Sequence, residues 1–197
     1  MSRESQKRRV ARCRAKVEEQ PASPAAHYNL GLAYTASGRV KLAEEAYRKA
    51  LELDSTMVEA WVNLGGVRLL RWDFQGCLEA NQEATRLDDR LALAHYNMGQ
   101  AYLYLNDPDN VLACNKRVLE LERDNRAAHY YAAVASLALG KRGAAERHLA
   151  RAIELGHQPP QDFLKAMEKA RRTAARGGAS LVEISGTESP DAKEKED

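Results

Sequence analysis

Between residues 24 and 57, apolar side chains fall at Leu30, Ala33 and Tyr34, then, beyond Gly38, at Leu42, Ala43, Tyr47, Ala50, Leu51 and Leu53. Steps of three and four residues belong to a helix with one buried face. The pattern predicts two amphipathic helices joined at Gly38, a residue suited to the left-handed backbone that ends many helices. The first helix is then written again every 34 residues: residues 26–34 read AHYNLGLAY, 60–68 AWVNLGGVR, 94–102 AHYNMGQAY and 128–136 AHYYAAVAS. The break recurs too, as Asn106-Asp107-Pro108 and as Gly140. Small residues keep the register: Gly31, Gly65, Gly99 and Ala133 on the first helix, and on the second Ala43, Cys77, Val111 and Ala145, then Ala50, Ala84, Val118 and Ala152. Small is expected to face small, so that paired helices approach closely. Leu53, Leu87, Leu121 and Leu155 are expected to close each unit. One helix pair cannot bury both its faces, so such a period implies stacked copies that share a core.

Toward the ends the pattern changes. Val10, Cys13 and Val17 predict a basic helix before Pro21 that covers the first copy. After Pro159-Pro160, the stripe of Phe163, Met167, Ala170 and Ala174 predicts a capping helix, stopped by Gly177-Gly178. Residues 179–197 are poor in large apolar side chains and have the composition of a disordered segment, apart from the island Leu181-Val182-Glu183-Ile184.

Charge adds an asymmetry that the total conceals. Lysine and arginine number 30 against 28 acids, a formal +2 that demands neither nucleic acid nor an acidic ligand. Yet residues 2–16 hold Arg3, Lys7, Arg8, Arg9, Arg12, Arg14 and Lys16 against one Glu4, whereas residues 183–197 are mostly acidic. No stretch reaches the ~18 to 20 apolar residues of a membrane span, and the charged N-terminus lacks the apolar core of a secretory signal. The chain therefore reads as soluble and cytoplasmic. Cys13, Cys77 and Cys114 are far apart and lack the close Cys/His pairs of a zinc or haem site, so they read as reduced core residues.

The set Leu30-Gly31, Tyr34, Gly38, Ala43, Tyr47 and Ala50, with Trp61 at the start of the second copy, resembles the tetratricopeptide repeat in four registers without insertion. Pro21 matches the proline that often ends a preceding repeat. The resemblance implies an all-α, right-handed solenoid of four helix-turn-helix repeats. These would span residues 24–57, 58–91, 92–125 and 126–158, with a basic N-terminal helix in 1–23, a capping helix in 159–176 and an acidic tail in 177–197.

It also implies that the first helices line a concave face on which Asn29, Asn63 and Asn97 form a ladder. An asparagine amide offers an acceptor and two donors, enough to clasp both polar groups of a peptide unit. Rungs ~8 to 10 Å apart would meet about every third residue of an extended peptide. In the fourth repeat Tyr131 replaces the asparagine, and Tyr28, Tyr96, Tyr130, Leu93, Leu103 and Tyr104 are further inward candidates. They would add aromatic and aliphatic pockets with polar handles. The carboxylate clamp of co-chaperone repeats requires lysine, two asparagines, lysine and arginine. Those places hold Tyr28, Leu32, Asn63, Leu93 and Asn97, so an acidic chaperone tail is disfavoured.

Departures from the repeat pattern are informative. Arg68 stands where Tyr34 and Tyr102 stand, and Asn81 and Asn115 replace Tyr47. A snorkelled arginine and partly exposed amides are the plain expectation, and a polar network that softens the middle of the array is the alternative. His27, His95 and His129 share the place of Trp61 and read as one packing position rather than as metal ligands or catalysts. Trp72 occupies the turn where glycine is common, either packed on Phe74 or exposed as an interface anchor.

No nucleophile, base and orienting group share a short motif, and no glycine-rich phosphate loop is present. Neither enzymatic activity nor a cofactor or metal is expected. The reading is a scaffold or adaptor that binds a protein or peptide partner. Secretion chaperones use such repeats, but no feature selects a chaperone-like role. Two alternatives remain open. One is self-association or regulation by the tail, with the 181–184 island in the groove. The other is tethering of the basic end to nucleic acid or an anionic membrane surface, both disfavoured because no nucleic-acid motif or aromatic interleaving accompanies the arginines.

Overall fold

The computed structural model describes residues 3–172, and among these every regular element is an α-helix. In chain order they are α1 (Arg3–Glu19), α2 (Pro24–Ala36), α3 (Val40–Leu53), α4 (Val58–Leu70), α5 (Phe74–Leu87), α6 (Ala92–Tyr104), α7 (Pro108–Leu121), α8 (Arg126–Ala138), α9 (Arg142–Glu154) and α10 (Gln161–Arg172). They form two compact units, Met1–Asp89 and Arg90–Asp197, a division that the uninterrupted period does not announce. The 181–184 island and the acidic segment lie outside the described residues.

In unit 1 the hairpins α2–α3 and α4–α5 stack through α3 and α4, and α1 covers α2. Val10 is buried, and Cys13 and Val17 pack beside it on a core of Leu30, Tyr34, Tyr47, Leu64 and Val67. In unit 2 the hairpins α6–α7 and α8–α9 stack through α7 and α8, and α10 packs on α8 and α9. Phe163 and Met167 of α10 enter the core made by Leu103, Val111, Tyr130, Val134 and Leu149.

Local chemistry sets the helix ends. Ser23, Asp73, Asp107 and Asn125 each accept a hydrogen bond from the backbone N–H three residues on, satisfying a donor that the first helical turn leaves open. Gly38, Trp72, Asn106 and Gly140 occupy the one left-handed position of each hairpin turn, with φ of 72°, 61°, 57° and 68°. Glycine takes this conformation freely, whereas Trp72 takes it against its Cβ and packs edge-on to Phe74 at 5.9 Å.

Two packing expectations are corrected. The small helix positions do not simply face each other. A Cβ on Gly31 would meet the Tyr47 ring at 2.5 Å, one on Gly65 the Asn81 amide at 2.0 Å, and one on Gly99 the Asn115 amide at 3.0 Å. Each glycine thus makes room for the large residue at the position held by Tyr47, while Ala43, Cys77, Val111 and Ala145 are sealed beside it. Nor does Leu53 close its repeat, since it is 38% exposed.

The departures resolve as buried polar chemistry rather than as exposed groups. Asn81 and Asn115 are fully buried. Each Nδ2 donates to the carbonyl oxygen one turn back, Cys77 or Val111, at 2.8 Å. Arg68 does not snorkel. It is held by Glu44 at 3.4 Å, donates to the Gly76 carbonyl at 3.0 Å and lies within 4 Å of Asp73 and Glu79. Glu44, itself buried, also pairs with Arg71.

Candidate functional site

The asparagines predicted to form one ladder have three different environments. Asn29 on α2 is exposed, Asn63 on α4 is half-buried, and Asn97 on α6 is buried. Asn63 matters most for what a ligand could meet. Its Nδ2 donates to the Glu59 carbonyl at 2.8 Å and to the Tyr28 hydroxyl at 3.2 Å. With both amide protons so engaged, Asn63 presents Oδ1 as an acceptor, and Tyr28, having accepted, keeps its own O–H to donate. One donor and one acceptor thus stand side by side on unit 1. Burial, with the Glu59 charge adding to it, raises the Tyr28 pKa above the ordinary phenol value, which keeps that donor protonated. Tyr28 is braced in turn by the Tyr47 ring, 5.9 Å away, whose hydroxyl donates to Thr35 at 3.0 Å.

In unit 2 the corresponding pair is Tyr96 and Tyr131, and here Tyr131 takes up the contact that Asn63 makes. Their rings lie 6.2 Å apart at 64°. Tyr131 also packs on Tyr130 at 5.1 Å. Burial raises the pKa of Tyr96, Tyr130 and Tyr131 alike. Two predicted lining residues belong to the core instead. Leu103 is fully buried, and Tyr130 is 2% exposed, stacked on His157 at 4.3 Å and edge-on to Phe163 at 5.3 Å. Leu93 is exposed, and Tyr104 is half-buried.

The position shared by histidine and tryptophan has a specific cause. His27 bonds through Nε2 to the Pro21 carbonyl at 2.9 Å, Trp61 through Nε1 to Ser55 at 2.8 Å, and His129 through Nε2 to Arg123 at 3.1 Å. In these three repeats a ring N–H six residues on closes the loop that precedes the first helix. With Nε2 donating, His129 Nδ1 accepts from His148 Nδ1 at 3.1 Å. Burial, then the neighbouring His129, Arg147 and Lys116, lower the His148 pKa. Cys77 and Cys114 are pushed up by burial to about 12 and about 11, values that keep both as unreactive thiols. Among the described residues no three His, Cys, Asp or Glu converge as for a metal ion, and no helix is long and apolar enough to cross a membrane.

A sequence model of the tetratricopeptide repeat matches residues 24–57 and 92–125. No curated protein sequence matches the chain. Among solved structures, pilF of Pseudomonas aeruginosa is similar with a TM-score of 0.74 at 22% identity, over 87% of this chain and 81% of its own. MamA is similar with a TM-score of 0.70 at 21% identity, over 83% and 90%. YrrB, described as a tetratricopeptide-repeat protein with an unusual peptide-binding site, is similar with a TM-score of 0.69 at 21% identity, over 86% and 85%. Likeness at such identity shows the all-α repeat fold alone.

Proposed function

For this tetratricopeptide-repeat chain, we propose a protein-interaction scaffold that performs no chemistry and holds an extended segment of a partner on the first-helix face of unit 1. The observation that supports this reading is the Tyr28–Asn63 pair. The Tyr28 hydroxyl, which accepts from Asn63 Nδ2 at 3.2 Å across two repeats, keeps a proton to donate beside the Asn63 Oδ1 acceptor, and the two complement the C=O and N–H of one peptide unit. Exposed Asn29 on α2 extends the polar face along the same unit. Asn97 is a supporting residue of unit 2 in this reading, and the aromatic pair Tyr96–Tyr131 is its structural counterpart of the unit 1 clasp.

Capture of binding proteins from lysate tests the clasp. Asn63→Ala together with Tyr28→Phe removes acceptor and donor while sparing the core. Partners retained by the native chain should be lost from the double variant, and equal retention by a still-helical variant rejects the clasp. Each lost peptide contact is worth about 1 kcal/mol, so the pair predicts a weakening on the order of tenfold to thirtyfold.

A further inference from the structure

A cleft of about 450 Å³ between α1 and α2 is lined by Arg9, Arg12, Cys13, Lys16, Glu19 and Asn29. Its volume lies within the range of pockets that enclose a small group rather than a flat contact. Three other cations of α1 are engaged: Arg8 with Glu4 at 3.2 Å, Lys16 with Glu19 at 3.1 Å, and Arg14 with the Tyr34 hydroxyl at 2.9 Å. The guanidinium groups of Arg9 and Arg12 have no ion-pair or hydrogen-bond partner among the described residues. Three residues apart, they share one helix face.

We propose that this cleft binds an acidic side chain, and the peptide group beside it, from a partner protein. A guanidinium fork matches the two oxygens of a carboxylate, and two forks on one face can hold it from both sides. Asn29 opposite can take the adjoining peptide group, and Cys13, Ala15 and Ala26 offer the carboxylate's methylene stem an apolar wall. The same lining argues against nucleic acid or a membrane. It has no aromatic ring on which a base could stack, only two unengaged arginines, and a Glu19 carboxylate that opposes a polyanion. Tyr28 and Asn63 lie outside the cleft, and Asn29 alone is shared with the face proposed above, so the arginine variants test the cleft separately from the clasp.

Titration calorimetry of the full chain with acetylated hexaglutamate, and with neutral hexaglutamine as its partner probe, decides the matter. Hexaglutamate should bind and hexaglutamine should not. Arg9→Gln with Arg12→Gln should weaken binding on the order of tenfold or more. Arg9→Lys with Arg12→Lys should recover part of that loss, and Lys7→Gln with Arg8→Gln, which removes equal charge away from the cleft, should change affinity less than about twofold. Circular dichroism of each variant keeps loss of folding distinct from loss of the site. The proposal is overturned by absence of hexaglutamate binding, by equal binding of hexaglutamine, by a double glutamine variant that binds like the native chain, or by affinity only for phosphatidylserine vesicles or oligothymidylate. Binding that emerges only after residues 177–197 are removed would make the chain's own acidic segment the occupant and overturn the partner assignment.

Discussion

Tyr28 with Asn63 in unit 1 and Tyr96 with Tyr131 in unit 2 occupy the same two places of the repeat, yet one is a polar clasp and the other an aromatic contact. Period fixes where such a pair stands, and its neighbours fix what it can offer. In unit 1 the neighbouring side chains leave a donor and an acceptor open. In unit 2 the Tyr96 and Tyr130 rings pack on Tyr131, and α10 backs Tyr130 with Phe163. The same contrast runs through the hairpins: unit 1 carries Arg68 and Glu44 where unit 2 carries Tyr102 and its apolar surroundings.

The strongest way to break the contrast is to remove the buried ions of unit 1. Arg68→Ala leaves Glu44 with Arg71 alone and removes the second donor of the Gly76 carbonyl, and should cost about 2 to 3 kcal/mol in urea denaturation. A cost near zero would mean that the network adds nothing to unit 1. Tyr131→Asn carries the unit 1 residue into unit 2. It removes two aromatic contacts, should cost about 1 to 2 kcal/mol, and should bring the Tyr96 phenol back toward its ordinary pKa as water replaces the ring. An unshifted phenol titration would show that Tyr131 does not shield Tyr96.

Acid separates the units more gently. His148 titrates below its unfolded value of 6.5, so below that pH the unfolded chain binds the proton first. The stability it lends is present above about pH 6.5 and lost as pH falls toward the lowered folded value. His157 shifts in the same direction and adds to the effect. His148→Gln should therefore flatten the decline below about pH 6.5 in thermal melts, and an unchanged slope would assign the decline to other groups.

Much of the fold was legible because a 34-residue period leaves few alternatives: the hairpins, their left-handed turn residues, the covering α1 and the α10 stripe all follow from helical spacing. The site was less legible for a physical reason. A first helix in a stack is packed on more than one side, so its buried residues do not form one stripe. In α6, Ala94, His95, Asn97, Met98, Gly99, Gln100, Ala101 and Leu103 are all buried, and no periodicity says which of them a ligand could reach. Leu103 and Tyr130 were placed on an open face for that reason. The Tyr28–Asn63 bond, 35 residues apart, left no local sign, although that recurring offset of one repeat plus one residue also joins Tyr96 to Tyr131. Arg68 did leave a sign: a charge in a tyrosine's place requires a counter-charge, and Glu44, 24 residues back, supplies it.

Both tryptophans of the chain, Trp61 on its loop carbonyl and Trp72 in its left-handed turn, fall in unit 1. Indole emission is consequently a private signal of that unit, while far-ultraviolet ellipticity sums the helices of both. Recorded on one sample through a single melt, the two traces superimpose if the units come apart together and diverge if either yields first, so the chain carries its own built-in probe of cooperativity.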